Sequence, residues 1–434
     1  MKQKLKRIRP KDIPGITRGV FGSFGREIGE MRGTNVWVFI MYGLLFDMGN
    51  NLWRPFAVVF LERLGGTAFH ISLLSALPGA VAALVLLPGT ILFRRFTNKK
   101  RATAAFILIS RSVLLALAFV PVLPAELRPL LFVVFVAVMN CPDSLSQTSL
   151  QSFLGTVFAG NLRGQAIALR TKFGQAVIPV VTIISGLIIT FVPGTDEQRM
   201  LLYRFFFAGA FLVGLLEVFY FNKLKVPEYA AKEEAPKHFY AREQIVNIMK
   251  DKRFRAFFIP VICFAFTWQA GWPLFSIYQV IHLRANELWF AIYALSTGVA
   301  AFISGGFWQK LLRKRGNNTV LVLSGGMLAV NALIVPFVPN VQVMAVFSFF
   351  MGFISIGIST GMLNGVLEAT PDENRMMYLA FYNTCMNISL FIAPFFAVLL
   401  HGAFGVFWAL IIVGVLRIFG TFFVWWRHRG VSGG

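Results

Sequence analysis

Apolar stretches about as long as a membrane is thick recur along nearly the whole chain. A helix needs about 20 apolar residues to cross the hydrocarbon core. Runs of that kind occupy 36–60, 70–93, 102–121, 130–154, 166–192, 200–221, 256–281, 288–311, 319–339, 342–368, 376–400 and 403–426. Twelve membrane helices are therefore predicted. They leave a tail at 1–35, a first group of six at 36–221, a hydrophilic connection at 222–255, a second group of six at 256–426 and a tail at 427–434. The fourth span is the weakest of the twelve, because its second half, Ser144 to Ser152, is strongly polar. Within the central connection, Arg242 to Phe254 reads as an amphipathic helix on the inner membrane face.

Composition and charge sharpen this picture. The chain is 57% hydrophobic and only 14% charged, with mean hydropathy +0.69, whereas soluble domains carry about 25% charged residues. The net charge of +22 would suit a nucleic-acid binder, but its distribution does not. Basic residues concentrate in connections assigned inside, such as Arg94-Arg95 with Lys99-Lys100-Arg101, and Lys310 with Arg313-Lys314-Arg315. That is the positive-inside pattern. It predicts a multi-pass protein of a cytoplasmic (plasma or inner) membrane, in a bacterial setting, with both termini cytoplasmic and no nucleic-acid partner. The N-terminus is basic but is not followed by a short apolar core and a small-residue cleavage site, so it reads as a cytoplasmic tail. Cys141, Cys263 and Cys385 lie apart in apolar runs and indicate neither a disulfide framework nor a metal site. No GxxxxGK[ST] or HExxH motif occurs, the GxSxG match Gly357-Ile358-Ser359-Thr360-Gly361 lies inside an apolar span rather than on a strand-to-helix turn, and the five histidines are scattered. No enzyme, cofactor or metal is expected, and a transport function would draw on a gradient.

The two groups of six repeat one another. At an ungapped offset of 219, Trp53 falls on Trp272, Phe56 on Phe275, Gly79 on Gly298, and Arg94-Arg95-x-x-Asn98 on Arg313-Lys314-x-x-Asn317. With the run Leu64-Gly65-Gly66-Thr67 and the basic loop from Gly89 to Arg101, this arrangement resembles the major facilitator superfamily over nearly the whole chain. The family's loop motif has an acidic residue where Arg94 or Phe93 and, in the second copy, Arg313 stand here, and a second glycine where Thr97 stands. The basic cluster Arg94, Arg95, Arg313 and Lys314 remains as the candidate gating loops. Gly174-QAVI-Pro179 in the fifth span does not match the motif of the drug/proton antiporter branch. The resemblance implies an all-α membrane protein of twelve helices, in two six-helix bundles related by a pseudo-two-fold axis along the membrane normal, with spans 1, 4, 7 and 10 lining a central cavity.

Polar stripes fall on three of those four spans. Asp47, Asn50, Asn51 and Arg54 share one face of the first span by their i, i+3, i+4, i+7 spacing. Asn140, Asp143, Ser144 and Gln147 mark the fourth, and Gln269, Trp272 and Ser276 the seventh. Charges at mid-membrane are costly and mark functional sites by default. At 1.5 Å per residue Asp47 lies roughly 16 Å from the inner face and Asp143 roughly 20 Å from the outer one. Arg111, in the third span, has a similar depth. Asp47 and Asp143 are the proton-coupling candidates. Arg54 and Arg111 would hold an anionic group or restrain a carboxylate. The competing structural reading makes Asp143–Arg111 or Asp47–Arg54 a static ion pair that locks neighbouring helices. Glu217 and Arg417, nearer the inner ends, read as snorkelling side chains, and Pro55, Pro142, Pro179 and Pro273 as interruptions of helices.

The expectation is a monomeric secondary transporter that moves a small organic solute by alternating access. Protons are the expected coupling ion, with sodium as the alternative, and membrane lipids surround it. An exporter or flippase of amphiphilic drugs or lipids is the second reading. A membrane receptor or scaffold working through 222–255 is the third. The sequence fixes neither the charge of the solute nor the direction of transport.

Overall fold

The computed structural model describes residues 35–94, 96, 98–157, 160–225, 242–371 and 375–431. The tail 1–34, the connection 226–241, Arg95 and the last three residues lie outside the described residues. Helices α1 (Asn35–Asn51) and α2 (Ala57–Arg63), joined by a 3-10 turn at Arg54–Phe56, form the first rod. Then come α3 (Ala68–Arg94), α4 (Lys99–Phe119), α5 (Arg128–Val157), α6 (Gly160–Phe191) and α7 (Asp196–Lys223). After the central connection follow α8 (Arg242–Lys250), α9 (Lys252–Ile277), α10 (Glu287–Ile334), α11 (Val341–Ala369) and α12 (Arg375–Val431).

Among the described residues, seven stretches are long and apolar enough to cross a membrane by length and composition. Two of the helices concerned, α10 and α12, contain two predicted spans each. They turn at Gly316 (φ 76°) and Gly405 (φ 74°), a left-handed conformation that glycine adopts without steric cost. Divided there, and leaving α8 aside, the described helices make twelve rods where the hydropathy pattern places them. The polar half of the fourth span is helical to Val157.

Prolines behave differently from the expectation. Only Pro55 stands at a break, inside the 3-10 turn. Pro142, Pro179 and Pro273 lie within α5, α6 and α9. Neighbouring helices and local adjustment satisfy the freed carbonyls in such a setting; after Pro273 the adjustment is a π-turn at Tyr278–His282. The predicted amphipathic helix stops at Lys250, because Asp251 caps α9 by accepting from Arg253 and Phe254 N–H at 2.9 and 3.1 Å. Ile248 of α8 is buried in an aromatic-rich cluster of the second bundle with Phe254, Phe257 and Phe258 of α9.

In the first bundle α4 packs on α5 and α7, α1 on α6 and α7, and α3 on α5. In the second, α9 packs on α12 and α10 on α11 and α12. The bundles meet where α3 lies against α12 and α6 against α10. Lipid-facing sides carry Phe205, Leu212 and Phe219 on α7, and Phe404, Trp408 and Phe419 on α12, all exposed.

Candidate functional site

An ionic network fills the middle of the first bundle. Arg111 on α4 grips Glu217 on α7 with both sides of its guanidinium: Nε donates to Oε2 at 2.7 Å and Nη2 to Oε1 at 3.2 Å. Nη2 also reaches Asp143 Oδ1 on α5 at 3.3 Å. Arg111 and Glu217 are fully buried, whereas 16% of the Asp143 side chain is exposed. A Cβ at Gly214 would stand 2.6 Å from Arg111 Cγ, so the missing side chain there is what admits the arginine. Beside this triad, Arg170 on α6 donates to Asp47 Oδ1 at 3.3 Å. Both guanidiniums also meet the Phe46 ring, Arg111 at 5.2 Å and Arg170 at 6.0 Å from its centroid.

The predicted stripes are partly realised. Asn50, Asn51 and Asn140 are half-buried and each ties its amide to the carbonyl one turn back, on Phe46, Asp47 and Val136. That leaves their side-chain oxygens as acceptors, and Asn51 Oδ1 receives Thr182 Oγ1 at 3.4 Å. Ser144 and Gln147 continue the α5 stripe, half-buried. Arg54 is exposed, with its guanidinium 6.0 Å from the Trp53 ring, on the turn that abuts α10. It makes no ion pair with Asp47, whose partner is Arg170. On α9, Trp272 is 39% exposed and meets Trp268 edge-to-face at 5.6 Å, and Ser276 lies on the same side. Gln269 departs from that stripe. It is buried, accepts from Ser389 Oγ at 2.6 Å and donates to Met386 O at 3.4 Å, joining α9 to α12.

Two buried groups reverse the snorkelling expectation. Glu217 is the acid of the triad, and Arg417 is fully buried in the second bundle. Arg417 donates to Thr267 O at 3.2 Å and Trp268 O at 2.9 Å, lies 5.5 Å from the Phe275 ring, and has no partner for Nη1. Its guanidinium occupies the space left by the missing Cβ of Gly271.

The model of the Major Facilitator Superfamily matches residues 38–364 and 282–433. The chain belongs to this superfamily. No curated protein matches it by sequence. Solved structures share its fold. A POT family transporter in complex with 5-aminolevulinic acid is 14% identical, with 92% of this chain and 95% of that one covered and a TM-score of 0.66. The xylose transporter XylE from E. coli, inward open, is 15% identical (90% and 94% covered, TM-score 0.61). The nucleoside transporter NupG, as a mutant, is 11% identical (90% and 99% covered, TM-score 0.70).

In this superfamily member, polar contacts between the bundles gather at the end that the charge pattern assigns outside. The Leu64-Gly65-Gly66 run ends α2 as a Schellman motif: Gly66 N–H donates to Leu61 O and Gly65 N–H to Glu62 O, with Gly65 at φ 88°. This stop fixes Arg63 at the rim. Opposite, Asn286 caps α10 through Trp289 N–H and sets Glu287 in its first turn, where the helix dipole favours an acid. Arg63 Nε and Nη2 donate to Glu287 at 2.7 and 3.2 Å, and Tyr203 Oη donates to it at 3.0 Å. Arg63 also meets Asp196 at 3.3 Å, and Leu288 N–H donates to Thr190 Oγ1 at 3.1 Å. Burial weakens the hold of Arg63 on its proton, but the hydrogen bond and charge of Glu287 outweigh that and keep it above the usual arginine range. The sequence reading missed this latch; its two ends are 224 positions apart and both sit at helix ends outside the predicted apolar spans.

Of the candidate gating residues, Arg313 and Lys314 are exposed just before the Gly316 turn. Arg94 closes α3 with its side chain outside what is described. Asn98 caps α4 by accepting from Arg101 N–H at 3.0 Å.

Proposed function

We propose that this transporter moves a small organic solute by alternating access and couples that movement to protons through Asp47 and Asp143. The observation that carries the reading is the grading of the three intramembrane carboxylates. Glu217 is sealed and doubly bonded to Arg111, whereas Asp47 and Asp143 each have one 3.3 Å contact to a guanidinium and 16% of the side chain open. A carboxylate so held can gain a proton when its neighbourhood dries and lose it when water returns. Asn50, Asn51, Asn140, Ser144, Gln147, Trp272 and Ser276 supply the hydrogen-bonding and stacking groups around them. Sodium would need a closed set of oxygens, which one half-open carboxylate paired with Arg170 does not offer. The relatives of like fold are named for a peptide conjugate, aminolevulinic acid, xylose and nucleosides, all small solutes.

The amphiphile reading draws on a lateral groove of about 820 Å³ along α10, lined by Val322, Met327, Val330, Phe347, Phe350 and Trp425. None of the polar stripe residues lines it, so it suits seated lipid rather than the transport path.

The test is thermal stabilisation of the purified protein by sugars, organic acids, amino acids, nucleosides, cationic drugs and lipids, followed by flux of each hit in proteoliposomes. A ligand at 100 times its dissociation constant adds about 2.7 kcal/mol. A pH gradient should drive uptake of the hit. Asp143→Asn should abolish that response while exchange of internal for external solute persists. Uptake indifferent to pH, or a response to lipids alone, would end the proton-coupled solute reading.

A further inference from the structure

We propose that the lateral groove of the second bundle seats an anionic phospholipid of the inner leaflet, its phosphate beside Arg315 and one acyl chain laid along α10. The site lies apart from the polar stripes and does not depend on the transport reading.

The groove starts beside the Gly316 turn, with Arg315, Asn318 and Thr319 at that end, and follows α10 to Ile334. Its volume of about 820 Å³ is that of a ligand site. Between Thr319 and Asn331 the α10 residues that line it are Val322, Leu323, Gly326, Met327 and Val330, all apolar. That interval is about 18 Å of helix, close to half of a hydrocarbon core ~30 Å thick and so to one chain of one leaflet. A Cβ built at Gly326 meets nothing within 4 Å, so this glycine leaves the floor open. Leu323 and Val330 are exposed apolar side chains at lipid depth. The groove therefore opens to the bilayer, and its occupant arrives from there.

Charge chooses among the lipids. Between Glu287 and Glu368 the chain has four basic residues and no acid. All four, Lys310, Arg313, Lys314 and Arg315, stand together at the end that the charge pattern assigns inside. Among the described residues none of them has an ion pair, Glu368 at the close of α11 included. A lipid phosphate supplies the missing counter-charge, as basic pockets between membrane helices do for anionic head groups. Thr319 gives its hydroxyl hydrogen to Arg315 O at 2.8 Å, which leaves the Arg315 guanidinium as the donor to that phosphate. At the far end of the apolar interval Asn331 is buried with Oδ1 unpartnered. A hydrocarbon chain has no donor to offer it, so the seated chain ends short of Asn331.

The test is native mass spectrometry of the full chain, released from detergent after titration with dioleoyl phosphatidylglycerol or dioleoyl phosphatidylcholine. The anionic lipid should be retained about fivefold better, and Arg315→Gln should remove that preference. Arg313→Gln, outside the groove, should keep it, which separates a seat from the general pull of a chain carrying +22. Gly326→Phe should erase the preference too, since its ring fills the open floor. A second readout needs no variant: phosphatidylglycerol with a diazirine on its acyl chain should label peptides within 322–330. Equal retention of the two lipids, equal effects of Arg313→Gln and Arg315→Gln, or label only outside the groove would each overturn the proposal. Retention weakened by Asn331→Leu would show an occupant that donates to that oxygen, which a phospholipid chain cannot do. A dimer that Gly326→Phe dissolves would give the groove to a second copy of the chain instead.

Discussion

The rim latch makes a quantitative prediction about which way the protein opens. Glu287 is 1% exposed and accepts three hydrogen bonds, two from Arg63 and one from Tyr203. Hydrogen bonds to charged groups contribute about 1.5–3 kcal/mol each when buried. Arg63 is 21% exposed and keeps Asp196 as a second partner, so solvent screening reduces the sum. Glu287→Gln also retains one acceptor oxygen. A net loss of about 2 kcal/mol is reasonable, close to a thirtyfold shift at 1.4 kcal/mol per factor of ten. The loss falls on the outer-closed state alone, because the contacts join opposite bundles. The population open to the outside should therefore rise about thirtyfold. A thiol at Ile277→Cys reports this well, since Ile277 is 1% exposed within the cluster that joins the bundles at the rim. On the cysteine-free background, its labelling by a membrane-impermeant maleimide from outside should accelerate by that factor in Glu287→Gln and in Arg63→Gln. The reversed pair Arg63→Glu with Glu287→Arg should slow it again in part. Labelling unchanged in both single variants would refute the reasoning, as would equal acceleration in the reversed pair.

Three further predictions concern buried charge. Arg111→Gln or Glu217→Gln strands one member of a buried pair, which costs about 3–5 kcal/mol; the melting temperature should fall sharply, and by less in Arg111→Met with Glu217→Leu. Gly214→Ala should destabilise in the same assay, because its Cβ meets Arg111 Cγ at 2.6 Å, and the effect should shrink when Arg111 is already Ala, which lacks that atom. Arg417→Met removes a charge held only by carbonyls and a ring, so stability should change by about 1 kcal/mol or less; Gly271→Ala should be harmful beside Arg417 and harmless beside Met, a coupling that a double-mutant cycle measures.

Legibility in the sequence followed the range of the interactions. Spans are set by local apolar length and helix starts by single capping residues such as Asn98, Thr195, Asp251, Asn286 and Asn340. The α1 and α5 stripes were likewise visible, because i, i+4 spacing is a local property. Partnership was not. Arg170 and Glu217 stand 123 and 106 positions from the residues they bind, and no periodicity on their own helices marks them. Glu217 and Arg417 read as end-of-helix charges because depth was judged along one helix, while burial depends on neighbours in two other directions. Gln269 sits on the predicted stripe by spacing, yet Ser389 draws it away from the exposed side of α9.

The placement of the ion pairs bears on how such a molecule can move. Arg111–Glu217, Arg111–Asp143 and Arg170–Asp47 lie wholly within the first bundle, and Arg417 is satisfied wholly within the second. Rocking one bundle against the other leaves all of these contacts whole. This matters because separating a buried pair costs several kcal/mol, enough to freeze the motion if such a pair bridged the bundles at mid-membrane. Among the described residues the pair that bridges the bundles, Arg63–Glu287, is at the rim, where Arg63 already touches water and Asp196 is 82% exposed. Water can take over there as the pair parts, so the cost stays near that of a few hydrogen bonds. The central charges are then free to answer to the proton and the solute, and the rim sets how often the outer gate opens.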